Sequence, residues 1–129
     1  MSKEITSLSA SEIALKIKNR EISVLQTVNA FLKRIEQVNP IVNAICELRK
    51  KEDILNDARE KDLLIKKGEI YGLLFGVPIT IKDSIQVIGL KNSNGDPLLK
   101  NYVASEDAEL VKRLKNEGAI IIGKPTTAL

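Results

Sequence analysis

Residues 76–83 read Gly-Val-Pro-Ile-Thr-Ile-Lys-Asp, and this stretch decides the fold. Every second residue from Val77 to Ile81 is apolar and β-branched, and the positions between them hold a proline and a threonine. Side chains alternate between the two faces of a strand. The pattern therefore predicts a short strand that buries one face and turns Lys82 onto the other.

A helix and a second strand are predicted further along the chain. Residues 105–107, Ser-Glu-Asp, provide a hydroxyl cap and two acids near the positive end of a helix dipole, and Gly118 is expected to end the helix. The inner face of this helix is expected to consist of apolar residues, namely Ala108, Val111 and Leu114. The apolar run at residues 119–122 predicts a buried strand of the kind found in parallel sheets.

The N-terminal part is predicted to form a helical hairpin over residues 1–39. Residues 9–12, Ser-Ala-Ser-Glu, match a capping box, which predicts a helix over residues 10–18. A second helix is expected to begin after Ser23 and to end before Pro40, because a proline disfavours helical geometry in the residue before it.

The remaining pattern places the chain in the α/β class. Residues 41–48 are apolar and β-branched enough for a strand. Residues 49–67 are predicted to form a long exposed helix that stops at Gly68. Residues 89–97 are turn-rich and are expected to form a loop. Residues 40–129 thus read as the start of an α/β core. Three strands make an incomplete sheet, so its apolar residues are expected to lack full cover and to favour self-association.

Composition excludes several classes of function. The 129 residues contain no histidine, which excludes Ser-His-Asp and Cys-His catalysis and most zinc hydrolase sites within them. A net charge of +3 with interleaved charges and few aromatic residues argues against nucleic-acid binding. The single Cys46 lies in an apolar run and is expected to be a buried, inert thiol. No segment has the apolar length of a leader or a membrane span, so a cytoplasmic location is expected.

Lys82 is the one residue whose position suggests chemistry. Ligands of α/β sheets bind beyond the carboxyl ends of strands, and a lysine packed there loses solvation, which lowers its pKa and favours a neutral amine. The alternative is that Lys82 and Asp83 form an ordinary surface pair at a strand end. Ser84, two residues further on, is considered and disfavoured as a local nucleophile.

The order and spacing of these segments resemble the amidase signature family. The stretch 76–83 matches its G-V-P-x-x-x-K-D strand, and residues 34–40, 107–108 and 118–124 are similar to the family in the same order. The resemblance covers about residues 5–128. It implies the N-terminal part of the amidase-type fold, an incomplete mixed sheet flanked by helices, and hydrolysis of linear amides without a metal or cofactor.

In that family the lysine matching Lys82 is the base, and it acts through a bridging serine on a nucleophilic serine, beside a glycine-rich loop that stabilises the oxyanion. These 129 residues contain no adjacent pair of glycines, and most of their serines are predicted to be caps or turn residues. The chain is therefore expected to be a truncated amidase-like protein that is inactive alone. The alternatives are one piece of a split amidase, completed by a serine-bearing partner chain, and a non-catalytic binding module.

Overall fold

The computed structural model describes residues 4–42, 45–81, 87–88, 90 and 107–125, without the side chains of residues 38–42, 45–47 and 125. A short 3₁₀ turn at Ile5–Ser7 precedes the main elements. These are α1 (Ala10–Lys18), α2 (Val24–Val42), β1 (Ile45–Leu48), α3 (Lys51–Lys66), β2 (Pro78–Thr80), α4 (Glu109–Asn116) and β3 (Ile120–Pro125). None of the helices in the described part of the chain is long and apolar enough to cross a bilayer.

The three strands form a mixed sheet in the order β1-β3-β2. The central strand β3 runs parallel to β2 and antiparallel to β1. Ile79 pairs with Ile121, but the next pair joins Thr80 to Gly123, so β3 carries one extra residue at this point. The sheet and its flanking helices confirm the expected α/β class.

Helix α1 has the predicted bounds, and its predicted capping box is present. The Ser9 hydroxyl accepts a hydrogen bond from the Glu12 amide at 3.2 Å, and the Glu12 carboxylate accepts one from the Ser9 amide at 3.1 Å. Two of the first-turn amides, which have no partner within the helix, are therefore satisfied. The helix ends through Arg20, which adopts a left-handed conformation with φ of 60°.

Helix α2 differs from the prediction at its C-terminal end. It continues through Pro40 to Val42, so the expected stop before the proline is wrong. A proline here cannot donate a hydrogen bond to the carbonyl of Glu36, and its ring crowds that carbonyl, but the helix continues for only two more residues beyond it. As a result β1 begins at Ile45, and the strand predicted from residue 41 is four residues too long at its start.

Helix α3 begins two residues later and ends one residue earlier than predicted, and the predicted stop at Gly68 is confirmed. Arg49 still belongs to the sheet, because its amide donates to the carbonyl of Ile122 at 2.9 Å. At the other end Gly68 has φ of 74°, and its amide donates to the carbonyl of Ile65 at 3.0 Å. A residue without Cβ adopts this conformation at no steric cost, which is why the glycine ends the helix.

Helix α4 begins at Glu109, later than the start predicted at residues 105–107. The first two residues of that prediction lie outside the described residues. The Asp107 carboxylate does not cap the helix; it accepts hydrogen bonds from the Ile88 amide at 2.8 Å and the Lys115 ammonium at 2.7 Å. It therefore fastens the segment at residues 87–88 to the last turn of the helix. The predicted end at Gly118 is confirmed, with φ of 90°.

Two hydrophobic clusters cover the sheet. The larger one joins helices α1, α2 and α3 to Val77 and to the strand residues Ile120 and Ile122. The smaller one contains Ile81, Val87, Leu90, Val111 and Ile121. The residues at 120–122 are at most 4% exposed, so the expectation that they lack cover is wrong. Val77 and Ile81 belong to different clusters, so the prediction that residues 77–81 bury a single face is wrong; Ile79, between them, packs against both clusters.

Candidate functional site

The carboxyl ends of β2 and β3 lie side by side, because the two strands are parallel. Pairing extends one residue past β2, where the Ile81 amide donates to the carbonyl of Gly123 at 3.0 Å. The next residue in the chain is Lys82. We call the described residues at this place, Thr80, Ile81, Gly123 and Lys124, the carboxyl edge.

Lys82 itself lies outside the described residues, as do Asp83, Ser84 and, apart from Leu90, the turn-rich segment predicted at residues 89–97. Its role as a base therefore stays a prediction. What the structure establishes is the position of its neighbour: Ile81 is 4% exposed and hydrogen-bonded to the central strand. The candidate base thus follows directly after a buried and well-anchored residue.

Lys124 is a residue at the carboxyl edge that the sequence reasoning missed. Its side chain is 0% exposed, and among the described residues the only other fully buried polar side chain is Thr27. The hydroxyl of Thr27 donates to the carbonyl of Ser23 at 2.8 Å, an ordinary helical arrangement. Lys124 by contrast lies on the central strand, opposite Glu47 of β1 in the register. A lysine next to a glycine after an apolar run resembles a solvated strand end, and the local sequence gives no sign that this position pairs with β1 and is buried.

A second group of charged residues lies towards the other end of β3. The Arg49 guanidinium donates to the Asp57 carboxylate at 3.0 Å and to the carbonyl of Ile121 at 2.8 Å. These residues border a cavity of about 380 Å³ that is also lined by Lys61 and Tyr71. None of the carboxyl-edge residues, Thr80, Ile81, Gly123 and Lys124, lines this cavity. This cavity is therefore separate from the carboxyl edge.

The described residues form no candidate metal site. They contain no group of three or more histidine, cysteine or carboxylate side chains placed to hold a metal ion. The side chain of Cys46 is not described, so its burial stays a prediction. The chemistry suggested by the carboxyl edge is that of amines and backbone groups.

Comparison with known proteins identifies the relationship. The sequence matches the family described as Amidase over residues 26–128. The chain belongs to the amidase family. It is 44% identical to the indoleacetamide hydrolase of Bradyrhizobium diazoefficiens over 119 residues, which are 92% of this chain and 22% of that protein. It is 42% identical to a glutamyl-tRNA(Gln) amidotransferase subunit of Fusobacterium nucleatum over 116 residues, 90% of this chain and 24% of the relative.

Solved amidase structures have the same fold over this region. The native peptide amidase of Stenotrophomonas maltophilia matches with a TM-score of 0.83 and 29% identity. The match covers 92% of this chain and 24% of that one. This amidase-family chain therefore spans about a quarter of the length of the relatives it matches. The resemblance inferred from residues 76–83 and their surroundings is confirmed.

Proposed function

We propose that this chain supplies the N-terminal part of a site that hydrolyses the C–N bond of linear amides, with Lys82 as the base. The observation that carries the proposal is the hydrogen bond from the Ile81 amide to Gly123. It anchors the residue before Lys82 at the carboxyl ends of two parallel strands, where sites of α/β sheets form. Membership of the amidase family supplies the reaction class.

The proposed reaction needs an uncharged lysine. Its Nζ takes a proton from a bridging serine, which takes the proton of the nucleophilic serine as that oxygen bonds to the amide carbon. The C–N bond then breaks, the proton passes through the same groups to the leaving amine, and water hydrolyses the acyl-serine. Backbone amides stabilise the oxyanion in both steps.

The two serines and the glycine-rich loop have no matching segment in these 129 residues, which contain no adjacent glycines. We infer that the 129 residues alone hydrolyse no amide. A second polypeptide segment that carries the serines would complete the site, whether it is supplied on the same chain or by a partner. Relatives are named for indoleacetamide and for peptide amides, so small linear amides are the substrate class to test first.

A complementation experiment tests this proposal. The chain is mixed or co-expressed with the part of the Bradyrhizobium indoleacetamide hydrolase that lies beyond the matched region, and hydrolysis of indoleacetamide is measured. Fluorophosphonate labelling reports whether a serine is activated. We expect activity and labelling only in the mixture, and loss of both in Lys82→Ala but not in Lys66→Ala, an exposed lysine at the end of α3.

Two results would count against the proposal. Labelling of the chain alone at Ser84, lost in Lys82→Ala, would instead establish a local Ser-Lys pair. A mixture that folds and associates but hydrolyses no amide would favour the non-catalytic binding module.

A third result would distinguish the two forms of the proposal: a serine-bearing partner recovered from the native source, with activity restored, would favour the split enzyme.

A further inference from the structure

An apolar groove lies between helix α1 and the segment that leads into β2. Ala14 and Leu15 on α1 form one wall, and Ile70, Leu74 and Phe75 form part of the other. The groove has a volume of about 630 Å³, and none of the carboxyl-edge residues lines it. We call it the α1 groove. A contiguous apolar surface on a soluble protein marks a binding site or a place where the protein aggregates.

Two exposed leucines flank the α1 groove. Leu73 is 83% exposed and Leu15 is 57% exposed, and both line the groove. The other large hydrophobic residues that are exposed in the described part of the chain lie outside its lining; they are Leu48, Leu63, Tyr71, Ile88 and Leu110. Scattered exposed hydrophobic residues are ordinary on soluble proteins, whereas two that share one apolar groove indicate a contact surface.

The segment that carries Leu73 is fixed to the end of α4. The Leu73 amide donates to the Glu117 carboxylate at 2.8 Å, and the Leu74 amide donates to the Glu117 carbonyl at 3.0 Å. Gly72 lies so close that an added Cβ would stand 2.2 Å from the same carbonyl oxygen. Leu73 is therefore presented in a fixed position, and binding at the groove needs to order little of this segment.

The length of the amidase relatives indicates what covers the groove. This chain spans about a quarter of them, so a complete amidase contains a further body about three times as long as this chain. A compact body of that length has a radius of gyration of about 20 Å. The six residues of β3 span about 20 Å. One body is therefore wide enough to contact both the carboxyl edge, where the proposed function requires it, and the α1 groove.

The charge of the groove favours this occupant over a second copy of the chain. Lys18, in the last turn of α1, is the one charged residue among the described residues that line the groove. A symmetric dimer brings together the same patch of both copies. Two such grooves would face each other without a lining carboxylate for either Lys18, whereas a different segment can place an acidic side chain there.

We propose that the α1 groove is the docking surface for the part of an amidase domain that lies beyond these 129 residues. That part covers Leu15 and Leu73 with apolar side chains and places an acidic group near Lys18. This inference rests on the proposed function, because the docked part is the one that carries the serines.

Cysteine footprinting tests the docking surface. Leu73→Cys and Leu15→Cys are labelled with N-ethylmaleimide, first in the 129-residue chain and then in a chimera that joins it to the part of the Bradyrhizobium indoleacetamide hydrolase beyond the matched region. Leu63→Cys, on α3 and 55% exposed at the leucine, is the matched control. Mass spectrometry reports each cysteine separately, including Cys46. We expect the chimera to slow labelling at the two groove positions about tenfold or more, because a covered thiol reacts only when the contact opens, and to leave the control unchanged.

A second measurement uses separate polypeptides and no added cysteine. The dissociation constant between the chain and the same part of the hydrolase is measured by fluorescence anisotropy. Leu73→Asp should raise this constant about tenfold or more, because a carboxylate in an apolar contact loses its hydration without gaining a partner. Leu63→Asp should leave it unchanged.

Several results would overturn the proposal. One is that the groove cysteines react in a cooperatively folded chimera as fast as in the chain alone, or that Leu63→Cys is slowed equally. Another is that Leu73→Asp binds as tightly as the unmodified chain, or that neither the chimera nor the mixture forms a folded assembly. Labelling of Leu73→Cys that slows with concentration in the chain alone, with a dimer in sedimentation, would instead identify a second copy as the occupant.

This experiment and the complementation experiment fail independently. Amide hydrolysis by an assembly whose groove cysteines stay reactive would remove the docking role of the α1 groove and leave the proposed function intact. Protected groove cysteines in an assembly that hydrolyses no amide would support the docking surface and contradict the function.

Discussion

Replacing Gly72 with alanine should destabilise the fold far more than the same change at Gly68, although the two glycines have nearly the same backbone conformation. Gly68 has φ of +74° and Gly72 has φ of +75°. A Cβ at Gly68 meets nothing within 4 Å, whereas a Cβ at Gly72 would lie 2.2 Å from the carbonyl oxygen of Glu117. The pair therefore separates the conformational cost of alanine from the cost of a steric clash.

The magnitudes follow from the contacts. The left-handed conformation costs an alanine about 1 kcal/mol in both variants. At Gly72 the clash also forces the backbone away from Glu117, which accepts a hydrogen bond from the Leu74 amide at 3.0 Å and, through its carboxylate, one from the Leu73 amide at 2.8 Å. Losing both adds about 2 kcal/mol. We expect a loss of about 3 kcal/mol for Gly72→Ala against about 1 kcal/mol for Gly68→Ala.

Urea unfolding followed by far-ultraviolet circular dichroism measures this difference. With a slope of about 2 kcal/mol per molar urea, the two midpoints should differ by about 1 M. Equal midpoints would refute the reasoning, because they would mean that the close approach of residue 72 to the end of α4 contributes nothing to stability.

Three further predictions concern the same network of helix ends. Asp62→Asn should lower the free energy of unfolding by about 1–3 kcal/mol, because the Asp62 carboxylate accepts hydrogen bonds from the first two amides of α2 at 2.8 and 3.0 Å; exposed Asp53→Asn is the control, and equal midpoints would contradict this. Burial raises the pKa of Asp107, but its hydrogen bonds to a backbone amide and an ammonium outweigh burial and leave the pKa below its ordinary value. Its stabilisation is therefore present above the ordinary aspartate pKa and lost as pH falls through the lowered one, so Asp107→Asn should flatten the acid limb of a stability–pH curve; an unchanged limb would refute this. Arg20→Gly should relieve about 1 kcal/mol of left-handed strain but lose the hydrogen bond to the carbonyl of Ile65 at 3.2 Å, so thermal melts should show a net change in stability near zero. A large loss of stability would contradict this and would mean that the contacts of the Arg20 side chain outweigh the strain.

Elements governed by local chemistry were predictable. The capping box at residues 9–12 and the glycines after α3 and α4 each act within a few residues, so the sequence pattern contains the whole explanation. The strand at β3 was also predictable in outline, because an uninterrupted apolar run is typical of a strand buried on both faces. The family relationship followed from the order of such segments.

Elements governed by distant partners could not be predicted from the sequence. The end of β1 is set by Arg49, whose amide pairs with Ile122, and no local pattern contains that pairing. Asp107 looked like part of a helix start because its bonds to Ile88 and Lys115 form only after the chain has folded. Lys124 likewise lies opposite Glu47 of β1, a residue 77 positions earlier, and no local pattern contains that pairing.

The central position of β3 has a consequence for the order in which the fold assembles. Strands β1 and β2 do not pair with each other, and both pair with a strand that follows them in the chain; the Arg49 to Ile121 hydrogen bond spans 72 residues. The chain must lose the conformational entropy of closing loops of this length before the hydrogen bonds of the sheet can form, and this slows folding. During synthesis the three earlier helices can form first, but the sheet cannot begin until residues 120–125 have been made. Until then β1 and β2 lack the strand with which both of them pair, and this interval is when the nascent chain most needs protection from aggregation.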